Sequence, residues 1–136
     1  MRKGLTDEWS IELDGEFASR VVDHSLQFVA PGRTIWIGVF NPPADQAPET
    51  TLEGIKRNVV HPAPDGRIEE WSQDGLEVRY ASWYSESGNR GIHHSVYGYT
   101  IRRGSLVASA LISDSPSDTE WALAIWRSLS YESPST

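Results

Sequence analysis

Hydrophobic and polar residues alternate along much of this chain, which is the pattern of half-buried β-strands. In Trp9–Leu13 and in the segment from residue 76 to 84, every second residue falls on one apolar face. Thr34–Phe40 is apolar on both faces, so we expect it to be a central strand. Turn residues separate the predicted strands, which are residues 9–13, 17–23, 26–30, 34–40, 67–72, 76–84, 92–101 and 105–113.

Two segments have the period of an α-helix instead. The first, residues 48–60, begins with Pro48, a residue that the first turn of a helix accepts. The second, residues 116–129, is marked by Ser117 and Glu120, whose spacing predicts a capping box. Its apolar face is large and consists of Trp121, Ala122, Ile125, Trp126 and Leu129.

We expect this second helix to pack on the strand that contains Ala108 and Ala110. Small side chains on a sheet let a helix with large aromatic residues approach closely, so these alanines are the predicted seats for Trp121 and Trp126.

The order of these elements is βββ(β)-α-ββββ-α, with runs of strands between two helices. Such an order is typical of the α+β class, and we expect an antiparallel sheet built of hairpins. A chain of 136 residues is long enough for one domain with its own core. We therefore predict a single domain over residues 1–136, in which residues 1–7 and 131–136 are flexible.

Composition narrows the range of functions. The chain has no cysteine, so disulfides, thiolate metal sites and cysteine nucleophiles are excluded. Its net charge is −7 and its basic residues form no cluster longer than Arg102 and Arg103, so nucleic acid is not an expected partner. No stretch has the apolar length of a membrane span, and an acidic N-terminal segment without an apolar run predicts a cytoplasmic protein.

Three stretches in this order resemble the PsbP-like fold. They are the strand Trp9–Leu13, the stretch Pro31–Ile37 and the tryptophan-containing final helix. This superfamily includes the photosystem II extrinsic protein, the Ran-binding Mog protein and bacterial DcrB-like proteins, some of which are chaperones of secretion effectors. The resemblance covers nearly the whole chain, and it implies an architecture whose members mostly bind partners. These positions are packing residues, so no functional residue is transferred.

Motifs for chemistry are sparse. The neighbours His93 and His94 point to opposite faces of a strand and cannot chelate one ion together. Among Glu69, Glu70 and Glu77, two carboxylates can share a face, which suits acid–base catalysis, although solvated surface charge is the commoner reason for such a pattern. The sequence contains no known catalytic or nucleotide-binding motif. We expect no catalytic residue, metal or cofactor.

Aromatic residues on a second sheet face are the strongest indication of function. Trp83, His93, Tyr97 and Tyr99 are expected on the face opposite to Val78 and Val96, where they mark either a binding surface or a region covered by the first helix. The function we favour is a non-catalytic protein-interaction or chaperone-like module, which includes a homodimer as one form. The alternative is a small-molecule-binding protein or hydrolase with a pocket between sheet and helix. The candidate binding residues for the two functions together are Trp36, Trp83, His93, His94, Tyr97 and Tyr99.

Overall fold

A computed structural model describes residues 2–58, 67–73, 75–88 and 91–132. Ten strands and two helices follow one another along the chain. They are β1 (Arg2–Gly4), β2 (Trp9–Glu12), β3 (Ala18–Val22), β4 (Ser25–Ala30), β5 (Arg33–Phe40), α1 (Pro48–Asn58), β6 (Arg67–Gln73), β7 (Glu77–Gly88), β8 (Gly91–Arg102), β9 (Ser105–Ser113), a 3₁₀ turn (Pro116–Asp118), α2 (Thr119–Arg127) and β10 (Ser130–Tyr131). The predicted α+β class is confirmed.

Seven strands form one antiparallel sheet in the order β3-β4-β5-β9-β8-β7-β6. Strands that follow one another in the sequence pair as hairpins, except where β5 pairs with β9 across the intervening α1, β6, β7 and β8. The strand β5 is therefore in the interior of the sheet, as its two apolar faces predict.

Residues that face each other across an antiparallel pair lie on the same side of the sheet, so the register divides the sheet into two faces. We call the first the core face; it carries Ile35, Ile37, Val96, Val107 and Leu111. We call the second the outer face; it carries Trp36, Tyr97, Tyr99, Ala108 and Ala110.

The core face is covered by α2 and by a small antiparallel sheet of β1, β2 and β10. Trp9 of β2 and Trp126 of α2 are each only 1% exposed, and they belong to the same apolar cluster. The Nε1 of Trp9 also donates a hydrogen bond of 2.7 Å to Ser105 Oγ, which satisfies its one polar atom inside the core.

The site on the sheet where we predicted that α2 would pack was wrong. Ala108 and Ala110 lie on the outer face, whereas α2 packs on the core face. The space for Trp126 is provided by Gly98, where a Cβ atom would lie 2.4 Å from Trp126 Cδ1. A small residue on the sheet does let the helix approach, but it is a glycine of β8.

The predicted capping box is absent as well. Asp118 is the N-cap residue of α2 and makes no side-chain cap hydrogen bond. Its carboxylate instead accepts two hydrogen bonds of 3.0 Å from the Arg33 guanidinium. Ser117 lies in the preceding 3₁₀ turn, where its hydroxyl is 2.8 Å from Ser115 Oγ.

The helix α1 packs on the outer face at the end of the sheet near β7 and β8. Its Leu52 is buried with Val78, Tyr99 and Ile101. The helix ends at Asn58 in the structure, and the predicted extension over residues 59–60 lies outside the described residues. The sheet is thus covered on its second face, as one of our alternatives expected, but only in part.

Two short strands were not predicted from the sequence; the first lies in a segment that we expected to be flexible, and the second overlaps the other such segment at Tyr131. Arg2–Gly4 pairs with β2, and Ser130–Tyr131 pairs with its other edge. The Tyr131 ring packs edge-on against Trp9, with 5.1 Å between the ring centroids. The flexibility of residues 1–7 and 131–136 stays a prediction. In the part of the chain that the structure describes, neither helix has the length and apolar character needed to cross a membrane.

Candidate functional site

The part of the outer face that α1 leaves uncovered forms a shallow apolar groove across β5, β9 and β8. Its volume is about 220 Å³. We call it the outer groove, and its lining includes Trp36, Gly38, Phe40, Tyr97, Ala108 and Ala110. Small residues form the floor of the groove, where Gly38 pairs with Ala108 and Ala110 lies opposite Trp36.

Phe40 is the most exposed of the aromatic residues in the outer groove, with 54% of its surface accessible. A Cβ atom at Gly38 would lie 2.9 Å from Phe40 Cε2, so the ring folds back over the glycine. The ring therefore presents an exposed apolar surface at the edge of the groove.

Tyr97 is fixed by a hydrogen-bond network at one side of the outer groove. Its hydroxyl donates to Glu86 Oε2 at 2.9 Å, and Ser95 Oγ donates to the same oxygen at 2.8 Å. The ring stacks on Tyr84 with 5.6 Å between centroids. Burial, together with the nearby Glu86 carboxylate, raises the pKa of the Tyr97 phenol well above its usual value. Tyr97 therefore stays neutral and holds its position rather than exchanging protons near neutral pH.

The two histidines lie on opposite faces of β8, as the sequence predicts. The Nδ1 of His93 is 3.6 Å from Asp114 Oδ1 on the outer face, and the ring lies against Gly88. On the core face, His94 Nδ1 is 2.9 Å from Ser85 Oγ, its neighbour across the β7–β8 pair.

A second concave site, which we call the polar cavity, lies on the core face beside the start of α2. Its volume is about 470 Å³. Its lining includes Trp83, Ser85, His94, Ser117, Thr119 and Glu120.

Five of the six candidate residues are therefore divided between two sites, and His93 lines neither of them. Trp36 and Tyr97 line the outer groove together with Tyr99, although Tyr99 is only 9% exposed and also packs in the α1 cluster. Trp83 and His94 line the polar cavity. No single pocket combines Trp36 with Trp83, because these tryptophans lie on opposite faces of the sheet.

Our assignment of Trp83 to the aromatic face was wrong because the hairpin register differs from the one we assumed. Trp83 pairs with Val96 on the core face, whereas Val78 pairs with Ile101 on the outer face. Val78 and Val96 therefore do not share a face. In a hairpin, a shift of one residue in the register moves a side chain to the other side of the sheet.

The three glutamates have partners and are not arranged as a catalytic pair. Glu77 is 4% exposed and bridges Arg79 at 2.8 Å and Arg102 at 3.0 Å, so our expectation of a solvated charge was wrong for this residue. The hydrogen bond from Arg127 lowers the pKa of Glu69, and Glu70 lies on the other face with Lys56. Within the described ranges, no group of three or more His, Asp or Glu side chains is placed to hold a metal ion.

Sequence reasoning missed Gly38, Phe40 and Ser85 as members of the two sites. The signal for Gly38 was the interruption of an apolar strand by a glycine, which often marks a close approach. For Ser85 the sequence carried no signal, since its contact with His94 depends on the register of the hairpin.

Comparison with solved structures shows that this α+β domain has the PsbP-like fold. No protein-family model matches the sequence, and no curated protein matches it. The solution structure of the cyanobacterial PsbP protein CyanoP from Synechocystis sp. PCC 6803 superposes with a TM-score of 0.64. The two sequences are 14% identical over 97% of this chain and 92% of CyanoP.

A second similar structure is a protein from Bacteroides thetaiotaomicron VPI-5482. Its TM-score is 0.68 at 11% sequence identity, and the match covers 92% of this chain. This chain spans only 45% of that protein's length. At such identities the likeness concerns the fold, so function has to be argued from the two sites.

Proposed function

We propose that this chain is a non-catalytic interaction module that binds a protein partner through the outer groove. The observation that carries the proposal is the uncovered aromatic area around Phe40 and Trp36 on a sheet whose other face carries the main core. Aromatic residues are enriched at the centres of protein interfaces, since they supply a large contact area at a low cost in conformational entropy.

The arrangement of the outer groove also supports binding rather than catalysis. Its lining residues are apolar, aromatic or hydroxyl-bearing, and Tyr97 is held neutral by burial and by its bond to Glu86. A reaction would need a nucleophile, an acid or a base with a suitable pKa at this place.

The first partner to test is a second copy of the chain. Light scattering at micromolar concentration and about 0.15 M salt, an ionic strength that screens the repulsion between acidic chains, measures the mass. We expect a dimer for the unmodified protein and a monomer for Ala110→Arg, which places a long charged side chain in the outer groove. Ile68→Arg is the matched control, because Ile68 is an exposed apolar residue on the outer face of the edge strand β6. A clean monomer for the unmodified protein removes the homodimer from the proposal.

Another protein as partner is tested with a photo-crosslinking amino acid placed at position 40 or at position 68. We expect a defined crosslinked species from position 40 in cells, and none from position 68. Equal crosslinking from both positions, or none from position 40 together with a monomer, would contradict the interaction module. The cytoplasmic location stays a prediction, and fractionation of the same cells tests it.

A further inference from the structure

The polar cavity lies on the opposite face of the sheet from the outer groove, so its role is independent of the function proposed above. It is bounded by β7 and β8 on one side and by the 3₁₀ turn and first turn of α2 on the other. Its volume of about 470 Å³ lies within the range of roughly 300–1,000 Å³ that is usual for small-molecule sites.

One wall of the polar cavity is the indole of Trp83. This side chain is partly buried and packs against the main apolar cluster, which holds the ring in place. A fixed indole offers a flat apolar surface to whatever occupies the cavity. A ligand with one apolar face therefore has a preformed surface on which to stack.

Hydroxyl and imidazole groups make up much of the remaining lining. The Ser85 hydroxyl and His94 Nδ1 are 2.9 Å apart, so each fixes the orientation of the other. Ser117 and Thr119 add two hydroxyls from the 3₁₀ turn and the start of α2. A serine or threonine hydroxyl has one donor and two acceptor sites, so a hydroxyl in one hydrogen bond retains capacity for another.

The charge of the polar cavity narrows the class of ligand further. Among the described residues that line it, Glu120 is the one carboxylate, its side chain is 82% exposed, and no lysine or arginine contributes. Phosphate and carboxylate ligands are normally bound by arginine or lysine, which are missing here. An uncharged ligand rich in hydroxyl groups matches the lining better than an anion does.

We propose that the polar cavity binds a neutral saccharide unit. The carbon–hydrogen face of the sugar ring lies on Trp83, its hydroxyls exchange hydrogen bonds with Ser85 and His94, and Glu120 accepts from a further hydroxyl. Ser117 and Thr119 complete the other wall. The site binds without making or breaking a covalent bond.

Saturation-transfer NMR with defined probes tests the proposal. The probes are glucose, galactose, mannose, N-acetylglucosamine, maltose, cellobiose and lactose, with glucose 6-phosphate and glucuronate as anionic comparisons. We expect transfer to at least one neutral sugar, with affinity in the millimolar range or tighter. Ser85→Ala and Glu120→Gln should each weaken that binding about fivefold, because the first removes one hydrogen bond and the second replaces a charge-assisted hydrogen bond by a weaker neutral one.

Two further variants separate a ligand site from a structural role. Trp83 contributes to the core, so its own removal also affects folding; Ser117→Trp instead fills the cavity from an exposed position. We expect Ser117→Trp to abolish sugar binding. Trp71→Ala, which removes a 46% exposed tryptophan that does not line this cavity, should leave binding unchanged.

Three results would overturn the proposal. One is the absence of any transfer to neutral sugars at about 10 mM, a concentration at which millimolar binding is detected. Another is tighter binding of an anionic sugar than of its neutral counterpart. The third is sugar binding that persists unchanged in Ser85→Ala, Glu120→Gln and Ser117→Trp, since binding would then take place elsewhere on the molecule.

Discussion

Gly98 determines how closely α2 lies on the sheet. Its position on the core face of β8 is directly beneath the indole of Trp126, and a Cβ atom would lie 2.4 Å from Cδ1 and 2.5 Å from Nε1 of that ring. Trp126 is 1% exposed. Neither the ring nor the sheet can move far enough to make room for this Cβ atom without disturbing a close-packed core.

We expect Gly98→Ala to lower the free energy of unfolding by about 1–3 kcal/mol, because it overpacks this contact. Urea denaturation followed by tryptophan fluorescence measures the change. Gly54→Ala in α1 is the matched control, since no atom lies within 4 Å of its Cβ position; it should stabilise by about 0.5–1 kcal/mol. A Gly98→Ala protein as stable as the unmodified one would show that α2 can move away from the sheet at no cost.

The two tryptophans of α2 should differ in their contribution to stability. Trp126→Ala leaves a large cavity in the core and should cost about 3–5 kcal/mol. Trp121 is only partly buried, stacked on Phe17 and bonded through Nε1 to Asp14 at 2.7 Å, so its replacement should cost less. Ser117→Ala should have almost no effect, because Ser117 does not cap the helix. Denaturation of the three variants gives the ranking, and a larger loss for Trp121→Ala would contradict it.

At the scale of elements, the Arg33–Asp118 pair joins β5 to the start of α2. The hydrogen bonds from Arg33 lower the pKa of Asp118 below its usual value. A carboxylate with a lowered pKa in the folded state stabilises the fold above its ordinary pKa, and that stabilisation is lost as the pH falls through the folded value.

We therefore expect the free energy of unfolding to fall as the pH is lowered from about 5 to about 2, and to fall less in Asp118→Asn. Denaturation at a series of pH values measures both slopes. Glu120→Gln is the control, because the side chain of Glu120 is 82% exposed. If Asp118→Asn shows the same acid dependence as the unmodified protein, the pair does not contribute to the folded state.

The buried Glu77 connects the sheet to the end of α2. Its carboxylate binds Arg79 and Arg102, and Arg79 in turn donates to the backbone carbonyls of Arg127 and Leu129. Glu77→Ala leaves two arginines without their counter-charge and should cost about 3 kcal/mol. Hydrogen exchange of the Glu77→Ala protein should show faster opening in the last turn of α2 than in α1. Equal protection of the two helices would argue against this connection.

The positions of strands and helices could be predicted from the sequence much better than the face of the sheet on which each side chain lies. The periods of two and of 3.6 residues located eight strands and both helices, because burial of one side imposes those periods directly. The face of Trp83 could not be obtained this way, since it depends on which residue of β8 lies opposite. The same reason explains why α2 was placed over Ala108 rather than Gly98, and why the contact between Ser85 and His94 was missed.

For the whole molecule, the small sheet brings the two ends of the described chain together. Tyr131 packs on Trp9, lies beneath the Arg102 guanidinium at 4.3 Å, and donates a hydrogen bond of 2.7 Å to Glu8. Tyr131→Ala should lose about 1.5–4 kcal/mol, the sum of an aromatic pair, a cation–π contact and the hydroxyl's hydrogen bond. Tyr131→Phe keeps both ring contacts and should lose only about 0.5–1.5 kcal/mol. Thermal unfolding distinguishes them, and equal losses would mean that the hydroxyl alone matters.

The closure of this small sheet also affects how the protein folds during synthesis. β2 is made early, but Trp9 packs against Tyr131 and its indole bonds to Ser105, so neither partner exists until most of the chain has been translated. The core face of the large sheet therefore stays uncovered while the ribosome produces residues 119–131. Contacts of such long sequence separation form slowly. During that interval the nascent chain exposes Ile35, Ile37 and their neighbours, and an exposed apolar surface of this kind is prone to aggregation.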